Sequence, residues 1–236
     1  MLKKTFPVFL AAALIHAFCG ALAQAAAWSL PYPANQVVFP LYGLAGLVLM
    51  SCVLFQVAAL RLPLPPDRKP RFLQVWLPLS AGLLLWMLGS QVISNLTDIP
   101  TDFLGRYSLD PRSLLPTIFC DNIWRAAGIW LLLVLLGRLF WKLPFPRLSL
   151  RTVGRLCLVI LAGTLVSLPL TWLTLGLTYA PYFEQPDTLL SLVRFLDGAG
   201  VFGSFLTLLS ALQILVGFAQ IYGAALIWAG SNPTQS

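Results

Sequence analysis

A series of long, uncharged apolar runs separated by short basic turns constrains the fold of this chain more than any other feature. Residues 37–60, 156–180 and 201–228 contain no charged side chain. A helix of about 20 apolar residues crosses the hydrocarbon core of a bilayer. Each run is therefore long enough to span a membrane, and the sequence predicts an all-α, polytopic bundle of transmembrane helices.

The composition agrees with this fold class. Hydrophobic residues make up 58% of the 236 positions and charged residues only 10%, which is too little polar surface for a water-soluble protein. No polar stretch is long enough to form a separate soluble domain. We therefore predict that residues 1–236 form a single domain surrounded by a lipid bilayer.

The apolar runs predict six transmembrane helices. The fourth run has to include both Arg125 and Arg138, because the twelve uncharged residues between them are too few to cross a membrane. We place Arg125 near the outer end of this helix and Arg138 near its inner end, where their side chains can reach the headgroups. The predicted bounds are Thr5–Trp28, Val37–Leu60, Phe72–Leu96, Asn122–Trp141, Leu156–Ala180 and Val201–Trp228.

The first run has two interpretations. It follows a basic start, and residues 21–25 contain small-x-small patterns typical of signal-peptide cleavage sites. The run is long for the apolar region of a signal peptide, and His16 lies within it. We favour an uncleaved helix, whereas cleavage near residue 25 would leave five transmembrane helices.

Residues 187–197 have a different periodicity. Asp187, Ser191 and Arg194 fall on one helical face, and leucine and valine residues fall on the other. This pattern predicts a short amphipathic helix that lies in the outer membrane interface.

The distribution of charge predicts the topology. With these six helices, 11 of the 15 Lys and Arg residues lie on one side of the membrane and seven of the eight Asp and Glu residues on the other. Loops rich in Lys and Arg stay in the cytoplasm. We therefore expect the cytoplasmic (inner) membrane, with both termini in the cytoplasm if the first helix is kept. This topology accounts for the net charge of +7, so we expect no nucleic-acid partner.

Two segments of the chain resemble each other at an offset of 81 residues. Arg61-Leu-Pro-Leu-Pro65 matches Lys142-Leu-Pro-Phe-Pro146, and Ala81-Gly82 matches Ala162-Gly163. Ten of the forty aligned pairs from these turns onward are identical. The pattern suggests a parallel internal repeat of residues 37–100 and 118–181, each a helix, a basic proline turn and a returning helix.

Few residues are suited to catalysis or to cofactor binding. His16 is the only histidine of the chain, so a serine-histidine site lacks a second candidate base. The four cysteines, Cys19, Cys52, Cys120 and Cys157, form no C-x-x-C motif and no metal-binding spacing with histidine. We predict that the protein is not an enzyme and has no catalytic residues, no cofactor and no metal, and that His16 is a packed side chain.

One pair of charged residues stands close to an apolar run. Asp121 and Arg125 are four residues apart, so on a helix their side chains share a face and can form an ion pair. Such a pair is either a gate that attracts anions or a structural pair that lets the helix keep its arginine. We favour the structural pair and place it at the outer interface.

The last run carries a stripe of small residues with two glutamines beside it. Small residues allow close approach of helix backbones, and glutamines can hydrogen-bond between helices. We predict a helix-packing surface, within this chain or with another protein, rather than a polar pathway for a solute. The stripe consists of Gly203, Ser210, Gln213, Gly217, Gln220 and Ala224.

These features predict a non-catalytic multi-pass membrane protein. We expect an accessory or assembly subunit that acts through helix contacts with other integral membrane proteins. The alternative is a small transporter or channel for a solute or lipid, since repeated helix units often surround a central site.

Overall fold

The structure, a computed structural model, describes residues 2–29, 31, 34–62, 68–96, 111–146, 148–179 and 187–231. These residues are almost entirely helical and contain no strand. The elements are α1 (Leu2–Ser29), α2 (Ala34–Arg61), α3 (Arg68–Leu96), α4 (Pro111–Ile123), a π segment (Trp124–Gly128), α5 (Ile129–Trp141), α6 (Leu150–Tyr179), α7 (Asp187–Gly198) and α8 (Phe202–Gly230). The predicted all-α polytopic bundle is confirmed.

Six stretches of helix within the described residues are long and apolar enough to cross a membrane. The continuous helix formed by α4, the π segment and α5 provides one of them. The six stretches are Lys3–Ala23, Pro40–Leu60, Phe72–Gly89, Leu114–Trp141, Leu150–Thr178 and Phe202–Gly230. Six spanning helices and a short seventh agree with the sequence prediction.

The fourth span starts earlier than the sequence indicated. Its helix begins at Pro111 rather than at Asn122, and proline is well suited to the first turn of a helix because the missing N–H has no partner there. Leu114 and Ile118, one turn apart, are buried against the bundle. This burial keeps the polar segment before Asn122 helical.

The fifth span, α6, also begins before the predicted residue. The backbone N–H of Thr152 donates to the hydroxyl oxygen of Ser149, at 3.2 Å. This is the arrangement of an N-cap, which satisfies a backbone donor that has no partner in the helix. The helix therefore starts at Leu150 rather than at Leu156.

Helix α8 is at the centre of the bundle, since it packs against α1, α2, α5, α6 and the π segment. The main apolar core lies in the half of the bundle next to the basic turn 142–149, which we call the basic half. Its least exposed large side chains come from four helices, α2, α3, α5 and α8, and include Leu54, Leu79, Leu83, Ile129, Leu133 and Trp228.

The short helix α7 packs on α6 and α8. Its Leu192 and Val193 contact a second, smaller apolar cluster around Leu177 and Leu209, and its Leu196 is buried. The predicted amphipathic helix is therefore present, with its apolar side against the bundle. Its location in a membrane interface stays a prediction.

The proposed repeat corresponds to α2 and α3 in one unit and to the helix through α5 with α6 in the other. Parts of the first unit, residues 63–67 and 97–100, lie outside the described residues. Gly82 and Gly163, which the repeat aligns, are both buried, and each lies against a side chain of another helix. The repeat itself stays a prediction.

Candidate functional site: a polar cavity between the helices

A cavity of about 420 Å³ lies between the helices. Residues of α1, α2, α3, α4, the π segment, α6 and α8 line it. Its volume lies within the range of small-molecule sites, about 300–1,000 Å³. Many of its lining side chains are polar, namely His16, Tyr42, Asp121, Asn122, Arg125, Ser167, Thr171, Ser210 and Gln213.

The cavity contains the ion pair that the sequence predicted. Arg125 Nη2 and Asp121 Oδ2 are 2.5 Å apart, as expected for residues one turn apart on a helix. The side chains of Arg125 and Asp121 remain 31% and 34% exposed, and both line the cavity. The pair is therefore accessible to a molecule in the cavity.

Contacts with two other helices show where this pair lies along the bundle. Arg125 Nη1 lies 3.5 Å from the position that a β-carbon would take on Gly217, in the middle of α8. The neighbouring Asn122 contacts Thr164, in the middle of α6. Asp121 and Arg125 are the eighth and twelfth residues of the 28-residue span Leu114–Trp141. Their position at the outer membrane interface stays a prediction.

Two tryptophan rings connect the π segment, which contains Arg125, to α3. The rings of Trp86 and Trp124 are stacked, with centroids 6.3 Å apart and planes within 2° of parallel. The indole N–H of Trp86 donates to the carbonyl oxygen of Trp124, at 3.2 Å. This bond joins α3 to the start of the π segment, where the helical hydrogen-bond pattern changes register. Short π segments often occur at functional sites.

Asn122 contributes an acceptor without a partner. Its side chain is 1% exposed, and its amide nitrogen donates to the Ile118 carbonyl oxygen at 2.7 Å and to the Thr164 hydroxyl oxygen at 3.3 Å. Its Oδ1 accepts no hydrogen bond from the residues that the structure describes. A buried polar atom in this state needs an explanation. Because Asn122 lines the cavity, a donor on a bound molecule or water can supply the bond.

His16 lies at the cavity and packs against two aromatic rings. Its imidazole stacks on Tyr42 with centroids 4.5 Å apart and contacts Phe218 at 4.9 Å. A β-carbon on Gly46 would come within 2.5 Å of the ring, so glycine makes room for it. His16 is packed, as expected, but it also lines the cavity, and its Nδ1 has no partner among the described residues.

The small-residue stripe of α8 divides along its length. Ser210, Gln213 and Gly217 line the cavity, and the amide nitrogen of Gln213 lies 3.4 Å from the hydroxyl oxygens of Thr171 and Thr174 on α6. These residues thus contribute polar groups to the cavity and to the contact with α6.

The remaining stripe residues behave differently from one another. Gln220 and Ala224 are buried, and Gln220 lies so close to Gly163 of α6 that no side chain fits there. Gly203 is exposed, with no neighbouring atom within 4 Å of a β-carbon built on it. The C-terminal part of the stripe, Gln220 and Ala224, thus lies at helix contacts within this chain, and Gly203 does not.

The cavity is closed towards the basic half of the bundle. Met50, Phe218 and Ile221 are its lining residues nearest to that half. Beyond them, within the basic half, core side chains such as Leu54 and Leu133 are almost completely buried. Within the described residues the polar lining therefore ends inside the bundle, which leaves a cavity in the half away from the basic turn.

Two of these site residues carry no signal of their own in the sequence. Asn122 marks only the start of the fourth predicted helix, and Tyr42 lies within the uncharged run 37–60. A sequence signal existed in the grouping of Asp121, Asn122 and Arg125 on consecutive turns. Among the residues that the structure describes, no group of three or more His, Cys, Asp or Glu side chains is placed to hold a metal ion.

Comparisons of the chain with known protein families, with curated proteins and with solved structures found no match.

Proposed function

We propose that this multi-pass membrane protein is a transporter that takes up a small polar solute in the cavity between its helices. One observation carries the proposal: Asp121 and Arg125 form an ion pair that lines a cavity between the helices. Ionisable residues within transmembrane segments are costly and commonly mark solute or ion pathways. No catalytic step is required of the protein.

The closed basic half favours a transporter over an open channel. A channel needs a continuous polar path, whereas here a packed apolar core lies on one side of the cavity. A transporter alternates between states that open to either side of a central site. The structure then corresponds to a state in which the basic half is closed.

The charge distribution supports an orientation for this cycle. Lys142, Arg151 and Arg155 lie at the basic turn and on the first turns of α6, and such residues stay on the cytoplasmic side. We infer that the protein lies in the cytoplasmic membrane with both termini in the cytoplasm. The cavity then lies in the outer half of the membrane.

The accessory-subunit function is the second candidate. The exposed Gly203, with open space around it and Ser204 beside it, favours this function because small residues on a lipid-facing surface promote association between transmembrane helices. The two candidates differ in which glycine of α8 matters. A transporter depends on Gly217 in the cavity, and a subunit that binds its partner here depends on Gly203.

Uptake into proteoliposomes tests the proposal. The purified protein is reconstituted and given a defined mixture of amino acids, sugars, monocarboxylates and amines, and the contents of the vesicles are measured by mass spectrometry. We expect accumulation of at least one class above protein-free vesicles. Gly217→Leu, which places a large side chain beside Arg125, abolishes it, and the smaller Gly217→Ala reduces it.

Gly203→Leu is the matched control, because it makes the same change at an exposed site of the same helix. Its uptake equals that of the wild type. Absence of uptake for every class contradicts a transporter. If a membrane protein co-purifies in mild detergent and is lost with Gly203→Leu but kept with Gly217→Ala, the accessory-subunit function is favoured.

A further inference from the structure

We propose that the cavity binds a zwitterion, a molecule that carries an ammonium group and an anionic group a few bonds apart. This inference rests on the proposed function, since it names the class of molecule that the cavity takes. Amino acids have this chemistry, and so does the phosphoethanolamine headgroup of a lipid.

The net charge of the site is the first argument. Among the described residues that line the cavity, Arg125 and Asp121 carry opposite charges that cancel. A ligand with a net charge would bring an uncompensated charge into a region of low dielectric constant, which is strongly unfavourable. A ligand without net charge avoids this cost.

The unpartnered acceptor is the second argument. Asn122 Oδ1 is buried without a hydrogen bond from the described residues, and the carboxylate of the adjacent Asp121 also lines the cavity. Two acceptors at neighbouring positions suit a group with several N–H donors. An ammonium has three donors and no acceptor, so it satisfies both oxygens, whereas a quaternary amine satisfies neither.

The space beside the guanidinium is the third argument. Gly217 has no side chain, and the Arg125 Nη1 lies next to it at the cavity wall. Guanidinium groups bind carboxylates and phosphates through pairs of parallel N–H donors. An anionic group of the ligand therefore has a donor and room at the Arg125 end.

The contact between the two charged side chains sets the size of the ligand. Asp121 and Arg125 touch each other, so groups that bind to both must be close together in the ligand. An α-amino acid or an ethanolamine phosphodiester meets this requirement. When such a ligand binds, the ion pair between Asp121 and Arg125 is replaced by two ion pairs, one between the ligand and each of these side chains.

Binding to the purified full-length protein in detergent tests this inference. Equilibrium dialysis compares L-alanine with propionate, which keeps only the carboxylate, and with ethylamine, which keeps only the ammonium. Nanodiscs of phosphatidylethanolamine and of phosphatidylcholine, followed by native mass spectrometry, test the headgroup source. We expect L-alanine or phosphatidylethanolamine to bind about tenfold or more tightly than its partial or N-methylated analogues.

Charge-neutralising variants distinguish a binding site from a purely structural ion pair, because only in a binding site do they change the preference between propionate and ethylamine. Asp121→Asn leaves Arg125 and shifts the preference towards propionate, and Arg125→Gln leaves Asp121 and shifts it towards ethylamine. The matched controls Asp197→Asn and Arg194→Gln make the same changes on the exposed face of α7 and shift neither preference.

The outcomes separate this inference from the proposed function. Uptake of sugars, monocarboxylates or amines in preference to amino acids contradicts the zwitterion and leaves a transporter. Binding of a zwitterion without uptake or lipid transfer supports the inference and contradicts the transporter. If neither zwitterion binds more tightly than its analogues and nothing is taken up, both are wrong.

Discussion

At the scale of single residues, glycines determine where the aromatic rings at the π segment can lie. A β-carbon on Gly89 would come within 2.7 Å of the Trp124 ring, and one on Gly128 within 3.0 Å of the Trp86 indole nitrogen. The contact at Gly89 would force the ring to move and the one at Gly128 would require it to give by a few tenths of an ångström, and rings packed between helices have little freedom to do so. These glycines therefore have a specific role that a count of small residues does not reveal.

Gly46 allows a matched test of this role. Gly46→Ala pushes a methyl group into the His16 ring, so we expect a loss of about 1–3 kcal/mol of unfolding free energy, the usual cost of overpacking. Gly43→Ala lies one turn away with no atom within 4 Å, and it leaves stability unchanged or slightly higher. Unfolding in mixed micelles measures both variants, and equal stabilities would contradict the packing of His16 against Gly46.

At the scale of elements, the helix formed by α4, the π segment and α5 contains charged side chains within a largely apolar sequence. Asp121 and Arg125 compensate each other's charge in an ion pair, and both line the cavity. The bond from Trp86 to the carbonyl oxygen of Trp124 connects this helix to α3 at the π segment. The position of Arg125 thus depends on a neighbouring helix as well as on its own sequence.

Trp86→Phe tests this dependence. The substitution keeps an aromatic ring next to Trp124 but removes the donor, so we expect a loss of about 1 kcal/mol of stability and weaker solute uptake because the π segment is less well held. Trp76→Phe, on the same helix and outside the cavity lining, is the control for the loss of an indole. Wild-type stability and uptake with Trp86→Phe would show that the bond does not hold the site.

A second test at this scale concerns α1. Its Thr5 hydroxyl lies 2.6 Å from the Tyr222 hydroxyl of α8, and Ala12, Ala13 and His16 are buried within the bundle. Removing α1 would expose this part of the core and open the cavity, so we expect the purified protein to retain residues 1–25. Intact-mass measurement decides this, and a mass that lacks these residues supports the signal-peptide interpretation.

At the scale of the whole molecule, the bundle is divided into an apolar half and a half with a polar cavity. Core side chains at the basic half, such as Leu79 and Trp228, are no more than 1% exposed. The polar side chains of α6 and α8 at the cavity, such as Thr171 and Gln213, lie towards the other end of the same helices. The main apolar core therefore lies in one half, and the cavity with polar side chains lies in the other.

Labelling of single cysteines tests the orientation of these halves. We expect a membrane-impermeant maleimide to label Ala199→Cys, between α7 and α8, in intact cells, and to label Leu148→Cys, at the basic turn, only after permeabilisation; both positions are exposed. The reverse pattern contradicts the inferred topology. The background protein has alanine in place of Cys19, Cys52, Cys120 and Cys157.

The sequence alone determined the fold class, the number of spanning helices and the short amphipathic helix at 187–197, because hydrophobic run length and periodicity are local properties of the chain. It also paired Asp121 with Arg125, since their spacing is one helical turn. Only the tertiary structure decided that Arg125 lies beside Gly217 of α8 and that His16, Asn122 and Gln213 meet around one cavity. These side chains come from three different helices, and which helices pack together depends on contacts between distant parts of the chain that no local pattern encodes.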